Sequence, residues 1–299
     1  MRTCFSHFFA SMTEWTRLLL ILTVCLLYPA VNIAAEKPSV RSLQPEISYS
    51  TAGQGTPLIL VHAFPADSRL WAPQIDGLKS SFRIITPDLQ GFGHGKPAQG
   101  EAVTMSEHAQ HIKKIMDELH IKKAILGGES MGGYVVLAFL SQYPDRVAGI
   151  ILSNTRSTAD SADVKAQREA AAQDVLTHGT EAFINSFMNK ALSANASEQT
   201  RSTARAIFSG QTANGIASGL RGMALRGDTT HILSETSVPV LIITSDQDSA
   251  IPPRESEDMH ARAKNSRLVT LSNSGHLSNL EQPGQWNKAV MDFYSIQNN

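Results

Sequence analysis

The chain has 299 residues, 42% of them hydrophobic, with 26 Lys and Arg against 27 Asp and Glu and a formal net charge of −1. This composition excludes a disordered polymer and suits one large soluble domain, or a domain that carries an insertion. No basic block or aromatic-basic stripe is present, so nucleic acid is not expected as a partner.

Residues 1–35 stand apart from the rest. Arg17 precedes the apolar run LLLILTVCLLY, which gives way to Pro29 and then to the small residues Ala34 and Ala35. A basic flank, an apolar middle and a small-residue exit make the layout of a secretory signal, so cleavage after Ala34 or Ala35 and export to the periplasm or medium are expected. A retained membrane anchor is the alternative, but the apolar stretch is shorter than the ~20 residues of a spanning helix. Only in that case is a membrane expected as a partner. Met12 offers an alternative start, and the L-T-V-C context of Cys25 is a weak match to lipoprotein processing. Cys4 and Cys25 both fall in this leader, leaving residues 36–299 without disulfides, thiolate nucleophiles or Cys-based zinc sites.

After the leader, ISYSTAG (47–53) reads as an edge strand. Short apolar runs then recur at PLILVHAF (57–64), FRIITPD (82–88), KAILGGE (123–129), AGIILSN (148–154), PVLIITSD (239–246) and RLVTLS (267–272). Runs with so little alternation suit strands covered on both faces. Between them, Met105, Ala109, Ile112, Ile115, Met116 and Leu119 recur at helical spacing. The alternation of strand and helix predicts an α/β protein with a mainly parallel sheet and helices on both sides. It stops between about residues 156 and 230, where an Ala-, Ser-, Thr-, Gln- and Asn-rich stretch shows no convincing strand; a helical insertion over the strand ends is the economical reading.

The chemistry centres on LGGESMGGY (126–134), where Ser130 lies in G-x-S-x-G between an apolar strand and a helix-like segment. A strand that turns abruptly into a helix needs small residues beside the turn, which accounts for Gly128 and Gly132 and exposes the serine hydroxyl. Such a hydroxyl is a weak nucleophile unless a base lies within hydrogen-bond reach and a third group orients that base. His276, in a loop just beyond the last strand, is placed to reach the sheet's carboxyl edge. Asp248, beyond PVLIITSD and four residues before Pro252, is the favoured acid; Asp246 suits support of the turn. Backbone N–H groups of Met131 and Phe64 are the expected donors to a developing oxyanion.

The motifs VHAFP, PDLQGFGHG, GGESMGG, SDQDSAIPP and SGHLSNLEQP, in this order between about residues 46 and 296, resemble the α/β-hydrolase superfamily. Within it the chain looks most like small esterases and lactonases, such as 3-oxoadipate enol-lactonase and the carrier-protein methyl esterase of biotin synthesis. The resemblance implies a sheet of about eight strands, a helical cap, Ser130 as nucleophile, Asp248 as acid, His276 as base, and Phe64 and Met131 as oxyanion donors. The expected substrate is a small-molecule ester, thioester or lactone, with no cofactor and no metal. Three positions depart from the usual pattern: Ala63 replaces a Gly after His62, Ser245 stands where Gly is frequent, and Gln90 stands where Arg is frequent.

Other readings are weighed against this one. His108 and His111 form H-x-x-H, but their polar neighbours point to a solvated helix face rather than a metal site. Epoxide hydrolases and haloalkane dehalogenases of this fold carry Asp at the elbow, which Ser130 excludes. Carbon–carbon hydrolases, perhydrolases and hydroxynitrile lyases share the serine frame. A non-catalytic binding module would commonly lose one of the three residues, and all three are present. In the insertion, Phe183, Phe187, Met188, Phe208 and Met223 suggest an apolar pocket. Arg156, Arg168, Arg221 and Arg226 are candidates to meet a carboxylate, although helix packing accounts for any one of these residues alone.

Overall fold

Apolar runs of this kind leave neither face for water, and the structure, a computed structural model that describes residues 48–295, gathers them in one sheet; the last run departs from this expectation, because it forms an edge strand in which only Leu271 is buried. Its strands are β1 (Ser48–Ala52), β2 (Thr56–Val61), β3 (Phe82–Asp88), β4 (Ala124–Glu129), β5 (Val147–Ser153), β6 (Val240–Ser245) and β7 (Ser266–Leu271). Their order is β1-β3-β2-β4-β5-β6-β7, with β1 antiparallel to β3 and every other pair parallel. The described residues thus hold seven strands, against the about eight implied by the resemblance. The leader expected at residues 1–35 lies outside the described residues.

Successive side chains of a strand point to opposite faces, and the two cores follow that alternation. Ile59, Val61, Leu126, Ile150, Leu152, Val240 and Ile242 pack on one face with the helices Met105–Glu118 and Met131–Gln142. Leu58, Leu60, Ile125, Ile151, Leu241 and Ile243 pack on the other with Trp71, Trp286 and Phe293. There the rings of Trp71 and Trp286 lie 5.4 Å apart. The helix Pro283–Ser295, which carries Trp286, is tied to the sheet by Trp286 Nε1 donating to Ser153 Oγ at 3.0 Å.

The helix expected from Met105 ends at Glu118 and starts with a capping box. Glu107 N–H donates to Thr104 Oγ1, and Glu107 Oε2 accepts from the Thr104 N–H at 2.7 Å. One expectation fails on this helix: His108 is 1% exposed and not on a solvated face. It lies three residues after Met105 and four before Ile112, so helical spacing turns it inward with them. Burial lowers its pKa to about 3 and keeps the ring neutral. Among the described residues no group of three or more His, Cys, Asp or Glu could hold a metal ion.

Between β5 and β6 the chain makes the helices Ala162–His178, Glu181–Ala191, Glu198–Phe208, Ala213–Ala224 and Thr230–Glu235, and no strand. Each of the first, third and fourth begins on a Ser or Thr whose hydroxyl accepts from the third N–H after it. That capping chemistry explains why a Ser- and Thr-rich stretch builds helices here.

Candidate active site

Ser130 sits between the end of β4 and the first residue of the helix Met131–Gln142, with φ +53° and ψ −113°. An L-residue reaches this region only when its surroundings hold it there. Three bonds do so: Ser130 N–H donates to Ser153 O at 2.9 Å, and Ser130 O accepts from Gly133 N–H at 2.9 Å and from Thr155 Oγ1 at 2.7 Å. The flanking glycines are required by space. A Cβ on Gly128 would lie 2.2 Å from the Gly132 carbonyl carbon, and one on Gly132 would lie 2.1 Å from Val61 O.

The structure brings the three side chains singled out in the sequence into one hydrogen-bonded chain. His276 Nε2 is 2.8 Å from Ser130 Oγ, and His276 Nδ1 is 2.8 Å from Asp248 Oδ2. A carboxylate can only accept, so Nδ1 carries the proton and Nε2 is left to accept from the serine hydroxyl. Burial works against the imidazolium, but the Asp248 carboxylate outweighs it and raises the His276 pKa above the ordinary 6.5. Burial also opposes the Asp248 charge, yet His276 and the hydrogen bonds around it hold this carboxyl below its usual range. Asp248 Oδ1 accepts from the backbone N–H groups of Ala250 and Ile251, both at 2.8 Å.

Two residues that the sequence reading passed over complete this framework. Asn154, at φ +44° just after β5, donates from Nδ2 to Asp248 Oδ2 at 2.9 Å and to Ser245 Oγ. Its Oδ1 accepts from Ser278 Oγ at 2.6 Å. Ser245 Oγ in turn donates to Gly275 O at 2.6 Å, so the hydroxyl that departs from the family pattern clamps the loop carrying His276. Asp246 accepts from the N–H groups of Asn273 and Ser274, so it supports the loop of His276 rather than the turn after its own strand. The signal for Asn154 was its place: an amide at the carboxyl end of the strand next to β4, facing the site.

Glu129 is the second, and it directly precedes the serine. It is fully buried, and neither carboxyl oxygen has a hydrogen-bond partner within normal distance. Burial pushes its pKa up to about 8, with the charge of His276 pulling the other way. The group is therefore a neutral acid near pH 7.

Met131 adjoins the serine in sequence, and Phe64 comes from the loop after β2. Met131 is the first residue of its helix, where N–H groups have no intrahelical acceptor. Phe64 lines the same cavity as Ser130 and His276. Its loop is held by His62, whose Nε2 accepts from Leu89 N–H at 3.1 Å and whose Nδ1 lies 2.9 Å from Ala63 O. The unusual Ala63 is accommodated: it is fully buried in a hydrophobic cluster to which the insertion contributes Ile184, Met188 and Leu192.

The cavity holds about 270 Å³ and is roofed by the insertion. Phe183, Phe187, Leu220 and Met223 supply its apolar side, with the Phe183 and Phe187 rings stacked at 6.0 Å. Met188 and Phe208 serve packing instead. Arg156, Arg168 and Lys190 also line it, whereas Arg221 pairs with Glu169 away from the site.

The sequence profile of the alpha/beta hydrolase fold matches residues 56–283, most of the chain. The chain belongs to the α/β-hydrolase family. Among solved structures it is similar to a thermophilic esterase from Thermogutta terrifontis with malate bound: 32% identity, a TM-score of 0.81, and coverage of 86% of this chain and 97% of the other. It is 28% identical to 3-oxoadipate enol-lactonase 1 of Acinetobacter baylyi, covering 80% of this chain and 89% of that one. It is 25% identical to the pimeloyl-[acyl-carrier protein] methyl ester esterase of Aliivibrio salmonicida, covering 76% and 88% respectively. The family, its fold and a hydrolytic chemistry are thereby established for this α/β hydrolase.

Proposed function

We propose that this α/β hydrolase is a serine hydrolase that cleaves a carboxylic ester, thioester or lactone of a small molecule through an acyl-enzyme intermediate. The observation that carries the reading is the chain of two 2.8 Å hydrogen bonds, from Ser130 Oγ to His276 and from His276 to Asp248, at the floor of a cavity. The raised His276 pKa fits a base that must hold a proton between the two halves of the reaction.

In the first half, His276 Nε2 takes the Ser130 proton as Oγ bonds to the carbonyl carbon. The carbonyl oxygen becomes an oxyanion facing the N–H groups of Phe64 and Met131, each worth about 10²- to 10³-fold in rate. The bond from carbon to the leaving oxygen then breaks, and that oxygen takes the proton from His276. Water repeats the sequence against the acyl-serine, releasing the acid and restoring the hydroxyl. Asp248 keeps the imidazole in one tautomer throughout, and Asn154 keeps Asp248 in place.

Ser130→Ala tests this directly. It is expected to abolish hydrolysis of 4-nitrophenyl acetate and labelling by a fluorophosphonate while leaving the fold intact. Full activity in that variant would sink the assignment. A panel of esters, thioesters and lactones then separates the three bond types.

A further inference from the structure

The cavity over Ser130 is lined by three cations, Arg156, Arg168 and Lys190, and by no carboxylate. A second cavity, also of about 270 Å³, shares Tyr134 and Arg156 as lining; it adds Arg226 and again no acid. Cations gathered in a low-dielectric recess focus a positive potential on whatever enters.

The guanidinium groups are not equally occupied. Asp160, whose side chain is fully buried, accepts from Arg168 Nε at 2.7 Å and from Arg226 Nη2 at 2.8 Å, and Arg226 Nη1 stands 2.7 Å from its other oxygen. Arg226 also donates to Met223 O and Thr158 O, and it lies 4.1 Å above the Tyr134 ring. One carboxylate thus serves two arginines, and both are committed to the wall. Arg156 has a looser partner: Glu255 Oε1 stands 3.8 Å from its NH1, and the other Glu255 oxygen accepts from Thr158 Oγ1 at 3.1 Å. Arg156 Nε is buried without a hydrogen bond, while the side chain keeps 22% of its surface open and lines both cavities. Three guanidinium groups therefore face two carboxylates, and Arg156, whose carboxylate partner stands farthest off, is the one least committed to the wall.

We propose that Arg156 is the specificity-determining residue of this site and binds a carboxylate carried by the substrate, so that the preferred substrates are esters or lactones of acids with a second, free carboxyl group. A planar guanidinium with unused donors is built to grip a carboxylate with two parallel hydrogen bonds. The acyl chain between the reacting carbonyl and that carboxylate lies against Phe183, Phe187, Leu220 and Met223. Arg226, stacked on Tyr134, stiffens the wall that Arg156 shares with the second cavity. This substrate class rests on the serine-hydrolase reading for turnover, but the anion site itself does not.

The test compares two esters of equal chain length, mono-4-nitrophenyl glutarate and 4-nitrophenyl pentanoate, on the wild type, Arg156→Gln and Arg156→Lys. The wild type is expected to favour the glutarate ester in kcat/KM, and Arg156→Gln to lower the ratio of the two by about 10²-fold, mostly through KM. Lysine keeps the charge without the fork and falls between them. A ratio does not depend on the folded fraction, so a partly misfolded variant still reports. Calorimetric titration of free glutarate into Ser130→Ala, with and without Arg156→Gln, reads the anion site without turnover. Ester cleavage with no charge preference and no glutarate binding overturns the anion site and leaves the serine reading standing. Glutarate binding that requires Arg156, in a wild type that cleaves neither ester, does the reverse.

Discussion

Replacing Glu129 by Gln removes a titratable group while keeping its shape, and the effect on stability follows from linkage. In the folded chain this carboxyl stays protonated up to about pH 8, against an ordinary value of 4.5. Between those values the unfolded chain holds fewer protons than the folded one, so the contribution of Glu129 is complete below the lower value and is lost as pH rises to the upper one. From about pH 5 to about pH 8 the wild type is expected to lose on the order of 3 kcal/mol relative to Glu129→Gln, at ~1.36 kcal/mol per pH unit over most of that range. The residue is fully buried with unbonded oxygens, so solvent screening does not reduce this figure much. Urea unfolding at about pH 5, 6, 7 and 8, followed by the fluorescence of the buried Trp71 and Trp286, measures it. Parallel stability curves for the two proteins would show that Glu129 ionises normally, and the argument from its burial would fail.

Other perturbations act on the same framework. Because Asp248 raises the His276 pKa, kcat/KM is expected to fall on the acid side with an apparent pKa above 6.5, and Asp248→Asn to move that limb downward as well as reduce kcat; a wild-type limb below 6.5 would contradict this. Asp160→Asn strips the shared carboxylate from Arg168 and Arg226 and is expected to cost about 3–5 kcal/mol in urea denaturation, since it leaves buried charge unpaired. Gly132→Ala drives a methyl group to 2.1 Å from Val61 O, and soluble folded protein is not expected from it. Asn154→Ala leaves Asp248 without its amide donor, so kcat is expected to drop by at least about tenfold with little change in KM, measured on a neutral ester.

The sheet was legible because Val-, Ile- and Leu-rich runs have one low-energy fate, burial on both faces. The observed strands differ from the sequence reading by at most a few residues at their ends. Ser130, His276 and Asp248 were legible because chemistry restricts residue type and the fold restricts order. What was missed depends on three-dimensional closure. Asn154 reads as the polar end of a strand until β6 brings Asp248 beside it. Glu129 drew no notice in the sequence, and its burial follows only once both faces of β4 are covered. His108 was misjudged because its polar neighbours in sequence were weighed above its i+4 relation to Ile112, and helical geometry decided the matter. The arginines of the insertion looked equivalent, and only their unequal share of Asp160 and Glu255 distinguishes them.

Glu281 accepts from the N–H of Gly275, beside His276, and from the N–H and hydroxyl of Ser193 in the insertion; Leu277 N–H donates to Ala191 O at 2.9 Å. The roof and the base are therefore one mechanical piece. A substitution that shifts the helix Glu181–Ala191 is thus felt at the loop that carries the base, although the two lie far apart in sequence.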